Sequence, residues 1–220
     1  MSVKHIALSL TLVCWLVGCA AAPGYIGPNR VRTSDAARSL QYRGFSVQPP
    51  RGEGWYLLVN EQKGDNMIFR KELSGTTHSF FVAVTLFGLR DGESIEQFGE
   101  RLRNTRSGEP PRLEVLSSEQ AVDHSGCVQY RIRLRDNGAV NAPGVPLELR
   151  EEGLACVHPT LSGAVLNARV SERGASSELD DRLVHQGFEA LRGVRLESAP
   201  GVAIPNPPFD LTAGMRWGSE

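Results

Sequence analysis

The chain has 220 residues and a formal net charge of -1, and 40% of its residues are hydrophobic. This length suits one domain that is large enough to bury an apolar core. The near-neutral charge, without a basic or acidic block, argues against a nucleic-acid-binding protein and against a cation buffer. The sequence also lacks the spacings of a nucleophile elbow, a zinc-protease helix, a dinucleotide fold and a P-loop.

The first segment, residues 1–18, is predicted to be a cleaved export signal. Lys4 gives it a positive start, and residues 6–17 are mostly apolar. In a helix this apolar stretch would be about 18 Å long, whereas the hydrocarbon core of a bilayer is about 30 Å thick. We therefore interpret it as the apolar part of a signal peptide and not as a membrane span.

The segment ends in Leu16-Val17-Gly18-Cys19, which resembles the lipobox of bacterial lipoproteins at all four positions. The resemblance implies that Cys19 becomes the first residue of the mature chain and carries three acyl chains. Two or more chains anchor a protein stably, so the lipid bilayer is the implied partner. The alternative is an ordinary secretory signal that is cut near Ala20-Ala21-Ala22, so that Cys19 is discarded.

The residue after the cysteine bears on the choice of membrane. Under the enterobacterial sorting rule an aspartate at this position retains a lipoprotein in the inner membrane. The chain has Ala20 instead. In a host that follows this rule, Ala20 therefore indicates the outer membrane, with the protein facing the periplasm.

The remaining chain divides into a spacer, a domain and a tail. Residues 19–43 are predicted to be a lipid-anchored spacer rich in proline and glycine, with a short helix over 34–41. Residues 44–197 form the domain, and the proline-rich residues 198–220 form a flexible tail. The pattern of apolar residues and turn signals predicts strands over 44–50, 55–59, 66–73, 78–89, 113–120, 127–134, 147–158 and 164–170.

The strand over 78–89 is apolar on both faces, with Phe80 and Val82 on one side and Phe81 and Ala83 on the other. Such a strand is buried on both sides and needs a layer above and below it. Two predicted helices can supply these layers. One begins with a capping box at Ser94 and ends near residue 107, and the other covers 177–192.

The cysteines Cys127 and Cys156 remain after processing, in a compartment that favours oxidation. The midpoint between them falls in a turn that contains Asn137-Gly138 and Pro143-Gly144. An antiparallel hairpin centred there places the two cysteines opposite each other, close enough for a disulfide.

The same register can be checked on charged residues. It pairs Arg131 with Glu152 and Arg135 with Glu148, which is favourable, and it also pairs Arg133 with Arg150, which is unfavourable. The charge pattern therefore supports the hairpin in part.

A metal site is the alternative use of the two cysteines. His124 and His158 flank them, and the four residues could form a Cys2His2 set. The spacings match no zinc motif and the compartment favours oxidation. We therefore predict a disulfide, with no metal and no cofactor.

Residues 45–55, which begin at Phe45 and end at Trp55, follow the pattern F-x-V-x-P-P-x-G-x-G-W. This pattern resembles the opening strand and turn of PsbP-like domains, which include the photosystem extrinsic subunit and bacterial DcrB-like lipoproteins. The later order of an apolar strand, an S-I-E-Q-F helix and a final helix ending near Phe188 is also similar. The resemblance covers about residues 44–195. It implies an α+β fold with an antiparallel β-sheet covered by helices on both faces, an α/β/α sandwich.

The resemblance and the anchor together lead to an expected function. We expect a membrane-anchored, non-enzymatic binding or accessory module of the cell envelope, with an envelope protein as a possible partner and no nucleic acid. The alternative hypothesis is an envelope hydrolase or metalloenzyme, with a site assembled on folding from His124, His158 and carboxylates.

We expect the substitution Cys19→Ser to abolish acylation and to release the chain from the membrane fraction, because no acyl chain would then hold it. Labelling with a fatty acid and membrane fractionation measure the two effects. Cys14→Ser is the matched control, since Cys14 lies in the segment that is removed. Unchanged labelling and fractionation of Cys19→Ser would contradict the lipid anchor.

Overall fold

The computed structural model describes residues 29–32, 39–59, 66–75, 77–107, 112–122, 126–139 and 142–197. Their elements, in chain order, are β1 (Asn29–Arg32), β2 (Leu40–Tyr42), β3 (Phe45–Val47), β4 (Trp55–Val59), β5 (Asn66–Lys71), β6 (Ser79–Gly88), α1 (Ile95–Ser107), β7 (Leu113–Val122), β8 (Cys127–Asp136), β9 (Leu147–Val157), β10 (Ala164–Gly174), α2 (Asp181–Leu191) and β11 (Val194–Leu196).

The strands form two antiparallel sheets. The larger has eight strands in the order β1-β4-β5-β6-β10-β9-β8-β7, and the smaller has three in the order β11-β3-β2. Neighbouring strands in both sheets pair antiparallel. This confirms the predicted α+β class and its antiparallel sheet.

The central strands β6 and β10 bury side chains on both faces of the large sheet, as the doubly apolar pattern predicts. Phe80 and Val170 pack on one face in a core that includes Leu191 of α2 and the small sheet. We call this the α2 face. Val165 packs on the opposite face with Phe98 of α1, and we call this the α1 face. The two helices therefore lie on opposite faces of the sheet.

The sandwich is less complete than the predicted one. The small sheet β11-β3-β2 shares the α2 face with α2. On the other face α1 packs over β7, β8 and β9. A helix of 13 residues is about 20 Å long, whereas eight strands span about 34 Å. Part of the α1 face therefore has no helix above it within the described ranges.

The boundary between spacer and domain also needs correction. Strands β1 and β2 fall within residues 19–43, which the sequence analysis assigned to the spacer. Their pairing with β4 and β3 makes them part of the fold. The predicted helix over 34–41 is wrong at its end, because Leu40 and Gln41 lie in β2. Leu40 and Tyr42 pack against the core, and this tertiary contact favours an extended chain. Residues 33–38 lie outside the described residues.

Local capping explains where the two helices begin. At α1 the predicted capping box is present: the Ser94 N–H donates to Gln97 Oε1 at 2.9 Å, and the Gln97 N–H donates to Ser94 Oγ at 3.3 Å. Helix α2 begins at Asp181, four residues later than predicted, because Asp180 caps it and accepts from the Arg182 N–H.

The β8–β9 hairpin has the predicted register. Cys127 lies opposite Cys156, and the two are joined by a disulfide in the core. Arg133 also lies opposite Arg150, the pair that the sequence marks as unfavourable. The two guanidiniums avoid each other because they bind different carboxylates: Arg133 donates to Glu148 at 2.8 Å, and Arg150 donates to Glu172 at 2.7 Å.

We expect the double variant Cys127→Ala/Cys156→Ala to lose about 3.5 kcal/mol of free energy of unfolding in the chain-entropy model, because the bond closes a loop over a sequence separation of 29. Urea unfolding of the processed protein measures the loss. Dithiothreitol should destabilise the natural protein by a similar amount and leave the variant unchanged. A natural protein that is insensitive to the reductant would contradict the bond.

Candidate functional site

The predicted site residues lie in different parts of the chain. Cys19 and His124 fall outside the described residues, so the acylation site and one possible metal ligand have no structural description. Cys127 and Cys156 are joined to each other and are 5% and 3% exposed. The thiols of the Cys2His2 alternative are thus already used in the disulfide.

His158 is a structural residue. Its buried ring donates from Nε2 to the Gly44 carbonyl oxygen at 2.7 Å, while Nδ1 accepts from the Leu161 N–H at 3.0 Å. This assigns the neutral tautomer with hydrogen on Nε2. Because both ring nitrogens are occupied, His158 ties the β9–β10 turn to the β2–β3 turn and leaves no nitrogen for a metal or a proton relay.

In the parts of the chain that the structure describes, no helix has the length and hydropathy needed to span a bilayer. Those same parts bring no three histidine, cysteine, aspartate or glutamate side chains together in a metal-binding arrangement.

Trp55 is a core residue and not a ligand platform. It is 3% exposed, and its ring packs edge-on against Phe80 at a centroid distance of 5.9 Å. The Lys71 ammonium lies 5.3 Å from the centre of the ring. A cavity of about 410 Å³ adjoins Trp55, but the indole is too buried to offer it a face.

A concave site of about 360 Å³ opens on the uncovered part of the α1 face. We call it the sheet groove. Residues from β5, β6, β8, β9 and β10 contribute to its lining. Its volume lies within the usual range of about 300–1,000 Å³ for small-molecule sites. The groove is therefore a candidate binding site that the sequence did not indicate.

One side of the groove is apolar. Ile68 of β5 lies opposite Ala83 of β6, and Phe81 lies two residues away on the same face. These side chains alternate with Phe69 and Val82, which point into the core under α2. Ile68 and Phe81 remain partly exposed. The Arg70 guanidinium lies over the Phe81 ring, 5.7 Å from its centre. No described helix covers this apolar wall.

The other side of the groove is charged. Asp136 accepts from Arg112 Nε at 3.1 Å and forms an ion pair with Arg173 at 3.4 Å. Glu151 forms a longer ion pair with Arg169, at 3.6 Å. Arg169 and Arg173 are four residues apart on β10, and side chains alternate along a strand, so both point to the same face of the sheet.

The charges are arranged in two layers. The side chains of Asp136 and Glu151 are only 3% and 7% exposed, whereas those of Arg169, Arg173 and Arg112 are 16%, 26% and 44% exposed. The carboxylates therefore lie beneath the guanidiniums. The groove presents a cationic surface to the solvent, although two acids sit below it.

In the lower layer, the carboxyl group of Asp136 stays ionised. Burial raises the pKa of this carboxyl, but the hydrogen bonds from Arg112 and from the Gly138 N–H, together with the charges of Arg173 and Arg112, outweigh that effect and lower it. A carboxylate that is held ionised keeps its two arginines in place.

Glu151 is supported from below by Tyr130. The Tyr130 hydroxyl lies 3.3 Å from Glu151 Oε1 and 3.0 Å from the Asn167 side-chain oxygen position, and all three side chains are buried. A hydroxyl has one hydrogen, so it donates to one of the two. The ring fits only because Gly153 stands opposite it: a Cβ at that position would lie 2.6 Å from the hydroxyl oxygen.

A second buried charge cluster lies on the α2 face and has a structural role. Glu172 is fully buried, and its carboxylate is 2.7 Å from His78 Nε2, 2.7 Å from Arg150 Nε and 3.0 Å from the Asp180 backbone nitrogen. These donors satisfy both oxygens. The cluster attaches the start of α2 to the sheet, since Arg150 also binds Asp181.

The groove residues were not among the site residues predicted from the sequence. The available signal was the alternation of Asn167, Arg169, Ser171 and Arg173 with small or apolar residues along β10. This pattern marks one polar face of a central strand, which is unusual where burial is expected. The predicted strand ended at residue 170 and left Arg173 out.

This chain is similar to known proteins in structure and not in sequence. No protein-family model matches it, and no curated protein matches it in sequence. It is similar to the crystal structure of the Saccharomyces cerevisiae Ran-binding protein Mog1p, with a TM-score of 0.47, 10% identity, and coverage of 78% of this chain and 97% of that one. It is also similar to the Pseudomonas aeruginosa protein of unknown function PA94, a putative regulator, with a TM-score of 0.41, 14% identity, and coverage of 71% and 95%.

Both structural similarities are too weak to carry a functional argument. The antiparallel α+β architecture follows from the strands and helices themselves. Membership of the PsbP-like family stays a prediction.

We expect Asp136→Asn to lower the free energy of unfolding at pH 7 by about 1–3 kcal/mol, because the arginines lose an ionised partner. The folded-state pKa of Asp136 lies below the unfolded value of about 3.9. Its stabilising effect is therefore complete above about pH 4 and is lost as the pH falls through the folded-state pKa. The difference in free energy of unfolding between the natural protein and the variant should therefore be smaller at low pH.

Urea unfolding at pH 7 and pH 3 measures this difference. Glu119→Gln is the matched control, because Glu119 is exposed on β7 and makes no hydrogen bond or ion pair within the described residues. It should leave stability nearly unchanged at both pH values. A difference for Asp136→Asn that is equal at the two pH values would show that its charge is not the stabilising feature.

Proposed function

We propose that this chain is a non-enzymatic binding module of the bacterial cell envelope, held to a membrane by acyl chains on Cys19. Its ligand binds in the sheet groove. The observation that carries the proposal is the open part of the α1 face, where a partly exposed apolar wall meets a layer of arginines. Concave sites with a few fixed polar groups among apolar ones are typical of ligand binding.

The chemistry of the groove favours binding over catalysis. The arginine side chains at its surface stay protonated and serve as hydrogen-bond donors. The lowered pKa of Asp136 makes it a poor general acid at neutral pH. The described residues that line the groove include no histidine or cysteine. Such a surface can hold and orient an anion.

The alternative of a hydrolase or metalloenzyme has weaker support. It relied on His124, His158 and carboxylates brought together by folding. His158 uses both ring nitrogens within the fold. It also lies next to the β2–β3 turn, while Glu151 lines the groove.

The anchor supports the proposal because it restricts where the domain can reach. The lipobox resemblance places the acyl chains on Cys19, and β1 begins at Asn29. Residues 20–28 can extend over at most about 30 Å. We propose that the domain stays this close to the membrane surface, on the periplasmic side of the outer membrane, where it meets ligands of the envelope.

A photo-crosslinking amino acid at position 81 tests the groove in the intact envelope. The crosslinker replaces Phe81 in the apolar wall, so we expect a discrete adduct with the bound molecule, whether it is a lipid, a small molecule or a protein. Position 185 is the matched control, because His185 is 75% exposed on the far face of the molecule. Adducts that are absent, or identical at the two positions, would argue against the groove.

A further inference from the structure

Arg169 differs from the other arginines of the groove. Its side chain is only 16% exposed, yet its one contact within the described residues is the ion pair to Glu151 at 3.6 Å. That distance is beyond a direct hydrogen bond. Arg150, which is buried to a similar extent on the other face, donates to Glu172 at 2.7 Å and also binds Asp181. Arg169 is therefore a partly buried guanidinium that makes an ion pair with Glu151 but no direct hydrogen bond within the described residues.

Burial of such a group has a physical consequence. A guanidinium carries five N–H donors in a planar fork, and a charged group that loses water without gaining hydrogen bonds is costly. A ligand that supplies two acceptor oxygens removes this cost. The fork matches carboxylate and phosphate in a bidentate arrangement. The polar side of the groove is thus complementary to an anionic group.

The charge balance limits how much negative charge the ligand carries. Three arginines line the groove against two carboxylates, which leaves one positive charge in excess. Arg112 and Arg173 are both engaged by Asp136. Asp136 therefore balances only one of its two arginines, and Glu151 balances Arg169 over a longer distance. A single anionic head group at this arginine layer balances the excess.

The apolar wall completes the description of the ligand. Ile68, Phe81 and Ala83 line the same groove as Arg169. Burying an apolar body against them contributes about 25 cal/mol for each Å² removed from water. A free inorganic anion would leave this wall exposed, and a neutral apolar molecule would leave Arg169 without acceptors.

We propose that the sheet groove binds a small amphiphile with one carboxylate or phosphate head group. The head group binds Arg169, and the apolar body packs against Ile68, Phe81 and Ala83. This assignment rests on the proposed function of the groove and names its ligand class. Glu151 is a positioning residue: it holds Arg169 and competes with the ligand for the same charge.

Binding of dodecyl compounds to the purified full chain carrying Cys19→Ser tests the head group, since this variant has no acyl chains that would interfere. Isothermal titration calorimetry compares dodecanoate, dodecyl phosphate, dodecanol and acetate below their micelle concentrations. We expect either anionic amphiphile to bind at least about tenfold more tightly than dodecanol. Acetate alone should bind weakly. The two anionic arms distinguish a carboxylate from a phosphate source.

Substitutions locate the effect on Arg169. Arg169→Gln should weaken dodecanoate about tenfold or more and leave dodecanol within about twofold. Glu151→Gln should change the affinity in the opposite direction and tighten dodecanoate, because it removes the competing carboxylate. Arg133→Gln is the matched control, since Arg133 is a 51% exposed arginine on β8 that pairs with Glu148 away from the groove.

Folding of each variant is checked by circular dichroism. If Arg169→Gln fails to fold, Glu151→Gln/Arg169→Gln removes both partners and leaves no buried carboxylate without its cation. Equal affinity for dodecanoate and dodecanol, or no effect of Arg169→Gln, would overturn the proposed ligand class. If a crosslink still formed at position 81, the groove would remain the binding site. Absence of any dodecyl binding together with absence of that crosslink would overturn both.

Discussion

The register of the β8–β9 hairpin determines which charges reach the groove. Side chains alternate along a strand, so a slip of β9 by one residue would move Glu151 to the α2 face, away from Tyr130. Cys127 opposite Cys156 fixes the alignment by a covalent bond, and Tyr130 opposite Gly153 fixes it by fit, since any larger residue would meet the tyrosine hydroxyl. The disulfide is therefore more than a stabilising link in the core. It also decides that the acidic layer of the groove lies beneath the arginines.

The open part of the α1 face follows from the residues of β10. Leu166, Ala168 and Val170 are apolar and can be sealed under α2 and the small sheet. Arg169 and Arg173 point to the other face, where an apolar helix above them would remove water from their charges without supplying acceptors. A helix therefore packs where that face offers apolar contacts, and the charged end of β10 stays accessible. The groove results from the composition of one strand and the limited length of α1.

Much of the fold could be predicted where the signals are local. The hairpin register followed from Cys127, Cys156 and a turn between them, and the α1 start followed from Ser94 and its capping partner. The start of α2 could not be predicted, because several nearby residues can cap a helix. The choice among them depends on a tertiary contact, in which the Asp180 N–H donates to Glu172. Strands β1 and β2 are too short to show a period. The groove combines strands that meet only through the order β6-β10-β9-β8, which no local pattern reveals.

Two buried carboxylates on neighbouring strands, Glu172 and Glu151, have different roles. Glu172 on the α2 face is fully buried, and a histidine, an arginine and a backbone nitrogen all bind its carboxylate. These interactions hold α2 in place. Glu151 on the α1 face faces an arginine at 3.6 Å, beside an apolar wall and open solvent. A protein that needed only stability would gain from closing this ion pair to hydrogen-bond distance. Leaving Arg169 available keeps part of its binding capacity for a ligand, and this difference between two similar ion pairs is the strongest reason to place the binding site on the α1 face.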